Sequence, residues 1–265
     1  MTPHPAVRIR ANLRGLARPP VILAYHGIAD VPLQADYFRL FVSPGAVATQ
    51  IRLFRRLGYT FVTFAEMIRR VGNGDADGFI ALTFDDGFAD NLSGLVPVIQ
   101  KWSVPATTFV ATGLLGKRHP STPYGRIFSV KELRRYRESG GTVGSHGVAH
   151  RDLTTLSSDE ARREIFESKA TLEEILDEAI DVCAYPFGRF DNVTRALVRE
   201  AGYIGACAVT EGSWADCWSV PRIPVVNGGS AAGLWLSSHP GFASIAGRPI
   251  RAGGRLVRRV QGQHD

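Results

Sequence analysis

Cysteine is scarce: Cys183, Cys207 and Cys217 are the only three in 265 residues. So few, in an odd number and without the close spacing of metal ligands, they exclude a disulfide framework and a structural zinc knuckle, and are expected to be small buried hydrophobes. Long apolar runs are also missing. No segment offers the ~20 apolar residues a membrane span needs, and the opening MTPHPAVRIRANLRGLARPP lacks the apolar stretch of a signal peptide. The expectation is a cytoplasmic protein. Acidic residues are absent from residues 1–20, which hold four arginines, and only Asp265 offsets the five arginines of 247–265. The two ends are thus +8 within a chain of +6, leaving −2 between them, so no nucleic-acid partner is implied for the core. The basic ends could at most contact an anionic membrane surface.

At 45% apolar composition the chain can bury a sizeable core. Apolar β-type runs alternate with helical periods, and no low-complexity linker separates them. Strands are expected at 21–26, 79–84, 106–112, 142–146, 182–187, 203–209 and 221–226. Helices are expected near 44–57, 92–102, 129–140, 158–179 and 192–201, the fourth opened by the Ser157/Glu160 capping box. Strand-helix alternation of this length predicts an α/β fold, a distorted (β/α) barrel of seven or eight strands. The expected domain runs over 21–240, between a basic N-terminal segment (1–20) and a basic tail (241–265).

The chemistry-bearing residues fall at the C-terminal ends of predicted strands, which a barrel collects on one face. Thr83-Phe84-Asp85-Asp86-Gly87 places two carboxylates where an apolar strand exits. An isolated Asp-Asp-Gly can be a turn or a helix cap, but metal-assisted amide hydrolysis needs one carboxylate to hold the cation and another to take a proton from water. Ser145-His146-Gly147-Val148-Ala149-His150 carries two imidazoles four residues apart, which a helical turn would put on one side. Beside a carboxylate the pair becomes an open metal site, with positions left for water and substrate.

Together with Tyr185-Pro186-Phe187-Gly188, these segments resemble the successive motifs of the NodB-homology polysaccharide deacetylases over about residues 20–225. The resemblance implies a distorted (β/α) barrel and one divalent metal ion, zinc or in some members cobalt or nickel. The implied activity is removal of N-acetyl groups from amino sugars in a polysaccharide, oligosaccharide or glycoconjugate. By position it makes Asp85 the general base and Asp86, His146 and His150 the metal ligands. Tyr185, Pro186 and Phe187 would shape the groove, with the Phe187 N–H in an oxyanion hole. Other readings are hydrolysis of a ureide or cyclic amide, or a carbohydrate-binding protein without turnover.

Two departures stand out. Ala184 occupies the place of an arginine that pairs with the base in many members, so Arg222 or Arg189 would have to reach the site from elsewhere. Asp216-Cys217-Trp218 only faintly echoes another family motif and reads as an exposed loop. Tyr25-His26-Gly27-Ile28 resembles the motif that carries the proton-donating histidine in circularly permuted members, which makes His26 the expected donor. His239, in Leu236-Ser237-Ser238-His239, is the rival. His4, His119 and His264 match no motif and are expected at the surface.

Overall fold

The strand-like runs become eight short strands in the computed structural model, which describes residues 18–120, 122, 124–209 and 211–238. They are β1 (Val21–Tyr25), β2 (Thr60–Val62), β3 (Phe79–Phe84), β4 (Thr107–Val110), β5 (Thr142–Ser145), β6 (Val182–Ala184), β7 (Gly205–Cys207) and β8 (Ile223–Pro224). Between and after them lie α1 (Pro44–Arg56), α2 (Phe64–Asn73), α3 (Asn91–Gly94), α4 (Val96–Trp102), α5 (Val130–Glu138), α6 (Ser158–Leu176), α7 (Asn192–Glu200) and α8 (Ala231–Ser238). Every strand pairing is parallel, in the order β7-β6-β5-β4-β3-β1-β8, with β2 beside the first half of β3.

All five residues of β1 are buried, as befits a strand covered on both faces. The two ends of the sheet meet through residues 217–222. Ala206 N donates to Cys217 O (2.9 Å), Ala208 N to Val220 O (3.0 Å) and Arg222 N to Val209 O (3.2 Å), after which β8 joins β1. This seam turns an open sheet into a distorted (β/α) barrel, and it puts the C-terminal ends of β1, β3, β5 and β8 on one face.

Local signals explain where the helices begin. Ser43, Thr63, Ser129, Ser157 and Asp191 each accept a hydrogen bond from a backbone N–H of the first turn. Such caps contribute about 1 kcal/mol apiece. The buried stripe of α6 includes Ala161, Ile165 and Leu172, and the helix stops at Leu176 because Asp177 adopts a left-handed conformation. The helix expected over 92–102 is instead α3 and α4. Pro97 has no N–H to continue a helix through this stretch, and Gly94 packs so tightly that a Cβ there would lie 1.9 Å from Ile28 O. Three elements have no counterpart in the sequence reading. β2 is only three residues long with Thr60 exposed, α2 follows it immediately, and α8 lies in a stretch to which no element was assigned.

Cys183 and Cys207 are buried free thiols, while Cys217 is half-buried. Among the described residues no helix is long and apolar enough to cross a membrane. Most of both basic ends, along with His4, His239 and His264, lies outside the described residues.

Candidate active site

Asp85 and Asp86 leave the end of β3 into very different surroundings. Asp85 is buried and gripped at both oxygens by Arg222, with Nη1 2.6 Å from Oδ1 and Nη2 2.8 Å from Oδ2. Burial opposes its charge, but Arg222, with His146 and His26, outweighs that and holds the carboxyl below its ordinary value. The guanidinium is itself fixed. Its Nε donates to Ala208 O (3.0 Å), Nη1 also donates to Thr83 Oγ1 (3.1 Å), and its carbon lies 5.5 Å from the Phe109 ring centre. A planar two-pronged grip of this kind sets the orientation as well as the charge of a carboxylate. Arg222, the residue before β8, thus brings to Asp85 a guanidinium that Ala184 does not provide. Arg189 is engaged elsewhere, 2.6 Å from Asp152 Oδ2.

Asp86 faces imidazoles. His150 Nε2 stands 3.2 Å and His146 Nε2 3.6 Å from its Oδ1, while His119 Nε2 is 3.3 Å from Oδ2. Burial again works against the charge, yet His150, His119 and His26 keep the carboxyl well below its ordinary value. Asp86 adopts φ 70°, a left-handed backbone that costs a non-glycine residue about 1–2 kcal/mol. The strain accompanies the turn that sends adjacent carboxylates to different partners.

The two motif histidines are not on a helix, contrary to the spacing argument. His146 directly follows β5, and the chain then turns through Gly147 (φ 75°) to His150, itself left-handed at φ 55°. Glu164 of α6 holds this loop, accepting from Val148 N (2.7 Å) and Ala149 N (2.8 Å). A side chain on Gly147 would begin 3.1 Å from the same carboxylate. Glu164→Ala should therefore loosen the loop and, if these imidazoles hold a metal ion, weaken its binding about 10–100-fold, the usual effect of losing a group that orients ligands. Competition with a chromophoric chelator measures this, and unchanged affinity would remove Glu164 from the positioning role.

The donor set fits a divalent cation. His146 Nδ1 donates to Ala184 O (2.8 Å), which orients the ring with Nε2 toward Asp86. Burial, opposed by Asp86, pushes the His150 pKa down to about 4, so this imidazole is neutral at physiological pH. Asp86 Oδ1 is buried and accepts no hydrogen bond among the described residues although two ring nitrogens stand near it. A carboxylate beside imidazoles is a donor set suited to zinc, cobalt or nickel.

His26 follows β1 on the same face, with its Nδ1 buried and lacking a hydrogen-bond partner among the described residues. Pro186 and Phe187 lie in the turn after β6, where Phe187 has φ 58° and its ring centre is 4.7 Å from that of His150. Tyr185 departs from its expected place in the groove. Its ring is buried in the core, and its hydroxyl donates to Trp218 O. Arg222 likewise lies beneath Asp85 with a fully buried side chain, so it positions the carboxylate and meets no substrate. Asp216 serves the loop, accepting from Trp218 N, Ser219 Oγ and Arg195.

Sequence reasoning missed His119 and Glu164. His119 was expected at the surface but is only 5% exposed. It occupies a loop between β4 and α5 with no neighbouring motif, so nothing local marks it. Glu164 sits one helical turn into the stripe of α6 and looks in sequence like any acidic helix residue.

A parallel barrel whose open face sets a guanidinium-bound carboxylate beside an Asp–His cage has the build of a barrel enzyme. Residues 72–206 match the family model for polysaccharide deacetylases, and the chain belongs to that family. The match ends before Arg222. The protein named "Putative polysaccharide deacetylase YxkH" from Bacillus subtilis is 26% identical over 168 residues, 60% of this chain and 56% of its own. A chitooligosaccharide deacetylase from Rhizobium leguminosarum is 35% identical over 100 residues, 37% of this chain and 41% of its own. The chain spans about half the length of the curated relatives it matches. The structure of the Streptococcus pyogenes deacetylase PplD in complex with acetate superposes with a TM-score of 0.72 at 27% identity, covering 85% of this chain and 99% of that one.

Proposed function

We propose that this protein is a metal-dependent N-deacetylase that removes acetyl groups from N-acetylated amino sugars in a polysaccharide, oligosaccharide or glycoconjugate. The observation that carries the reading is the split between Asp85 and Asp86, one bound to a guanidinium and the other enclosed by imidazoles. Adjacent carboxylates with separate partners can do separate work.

Asp86, His146 and His150 would hold the ion, most simply zinc, with cobalt or nickel suited to the same donors. Such an ion supplies Lewis acidity toward an acyl carbonyl and toward water. Asp85, oriented by Arg222, takes the proton from the attacking water. Its depressed basicity is the cost of that fixed orientation, and a bound substrate that excludes solvent strengthens it as an acceptor. The Phe187 N–H, in the left-handed turn against His150, is the chain's own donor to the oxygen that develops negative charge. His26 delivers a proton to the departing amine nitrogen. The products are acetate and a free amino sugar.

A cleft of about 320 Å³ between Ala29, Asp30, Ser43 and Asn227 opens beside the ends of β1 and β8 and offers room for part of a saccharide. N-acetylated saccharides of graded length, incubated with metal-loaded protein and followed by mass spectrometry, should lose 42 mass units per turnover, roughly the mass of one acetyl group replaced by hydrogen. Turnover of ureides or cyclic amides in their place would overturn the reading. His26→Ala should keep its metal and lose ~10²–10⁴-fold in kcat. Wild-type kcat in that variant would move the donor role elsewhere, with His239 the next to substitute.

A further inference from the structure

Three imidazoles surround Asp86, and only two of them belong to the His146–His150 motif. The third, His119, sits in a segment that has the features of a ligand-bearing loop. It is buried, its Nε2 approaches Asp86 Oδ2 at 3.3 Å, and its ring stacks on Phe88 with centres 5.1 Å apart. Donor atoms of Asp86, His119 and His150 all lie within 4.8 Å of one another. Ligand bonds of about 2.0–2.1 Å place neighbouring donors roughly 3.3 Å apart in a tetrahedral site. His150 and His146 stand 3.2 and 3.6 Å from Asp86 Oδ1, and His119 stands 3.3 Å from Oδ2, so each imidazole lies near that spacing from one oxygen of the carboxylate or the other.

The loop is fastened so that His119 cannot easily leave. Gly116 N donates to Phe128 O (2.7 Å), Ile127 N to Lys117 O (2.9 Å), and Arg118 bridges to Arg126. Phe128 N in turn donates to Gly87 O (2.8 Å), on the residue that follows Asp86. The ribbon that carries His119 is thus tied to the backbone beside the carboxylate that His119 faces.

We propose that His119 is a fourth protein ligand, so that the ion is held by Asp86 and three imidazoles. The inference rests on the proposed metal dependence. It has a consequence for the ion: four protein donors would close a tetrahedral site, so a working ion must accept five or more ligands to admit substrate.

The alternative role for His119 is to orient Asp86 through a hydrogen bond alone. His119→Gln separates the two, because a Gln amide retains an N–H donor for Asp86 but no imidazole nitrogen. Chelator competition and the visible spectrum of the cobalt-loaded protein would be compared in wild type, His119→Gln and His119→Ala, with circular dichroism and thermal melts of the metal-free proteins as the check on folding. Ligation predicts that both variants lose at least ~10-fold in metal affinity and share a changed cobalt spectrum. Affinity and spectrum unchanged in both variants, or recovered fully in His119→Gln, would overturn the inference and leave the metal dependence standing. Should wild type bind no metal, the reading of the site fails first and the inference with it. If both variants prove unfolded without metal, the paramagnetically shifted ring N–H resonances of cobalt-loaded wild type are counted instead. Resonances from two coordinated imidazoles would then refute the fourth ligand, and resonances from three would support it.

Discussion

Asp85→Asn is expected to retain its metal and lose at least ~10²-fold in kcat, because the amide keeps the shape of the carboxylate but cannot take a proton. Its second effect falls on the fold. Arg222 has a fully buried side chain and would lose its counter-charge, and breaking a buried pair from one side costs about 3–5 kcal/mol. Arg222→Met added to Asp85→Asn removes the orphaned charge, so the double variant should recover melting temperature without recovering turnover. Steady-state kinetics, metal content and thermal melts on the three proteins separate chemistry from stability. Loss of metal from Asp85→Asn with its fold intact would show that Asp85 and Asp86 have exchanged roles.

Asp86→Ala and His146→Ala are each expected to abolish tight metal binding, and turnover with it, since each removes a donor from the centre of the cage. Equilibrium dialysis against buffered zinc is the direct measurement. Full activity of the wild type after rigorous metal removal would sink the proposed mechanism. In the metal-free protein the same cage sets an acid sensitivity. His150 takes up its proton near pH 4 in the folded state but near 6.5 when unfolded. Between those values the unfolded chain binds more protons, so the stability this group contributes is present above pH 6.5 and declines as pH falls toward 4. Bound metal should suppress the decline by competing for the imidazole, a difference visible in melts from pH 7 to 4.5.

The sequence carried the barrel because its strands are continuous apolar runs, and the run 79–84 coincides with β3. Strand ends were overestimated where apolar residues continue into turns that leave the sheet, as at Tyr185-Pro186-Phe187. β2 and α2 escaped because β2 is only three residues long and gives too little alternation to register. The site was partly legible for a different reason. Asp85, Asp86, His146 and His150 lie in short contiguous motifs, whereas Arg222 and His119 approach from loops or strands distant in the chain. Arg222 could be weighed only because Ala184 left a charge to be accounted for. His119 had no such cue. Its place depends on a ribbon whose backbone hydrogen bonds no residue pattern announces.

The seam at residues 217–222 has a bearing on how the protein is made. A ribosome releases β3 and its two carboxylates long before β8, so for some 135 residues of synthesis, roughly ten or more seconds at ordinary elongation rates, Asp85 exists without Arg222. During that interval the nascent chain can pair β1 with β3, but burying Asp85 would strand a charge. Unless the carboxyl is protonated, the interior must stay open at this point until Arg222 and β8 arrive. A chain ending before residue 222 would carry the family motifs without the guanidinium that holds Asp85, so the proposed base would depend on a residue that the motifs do not contain.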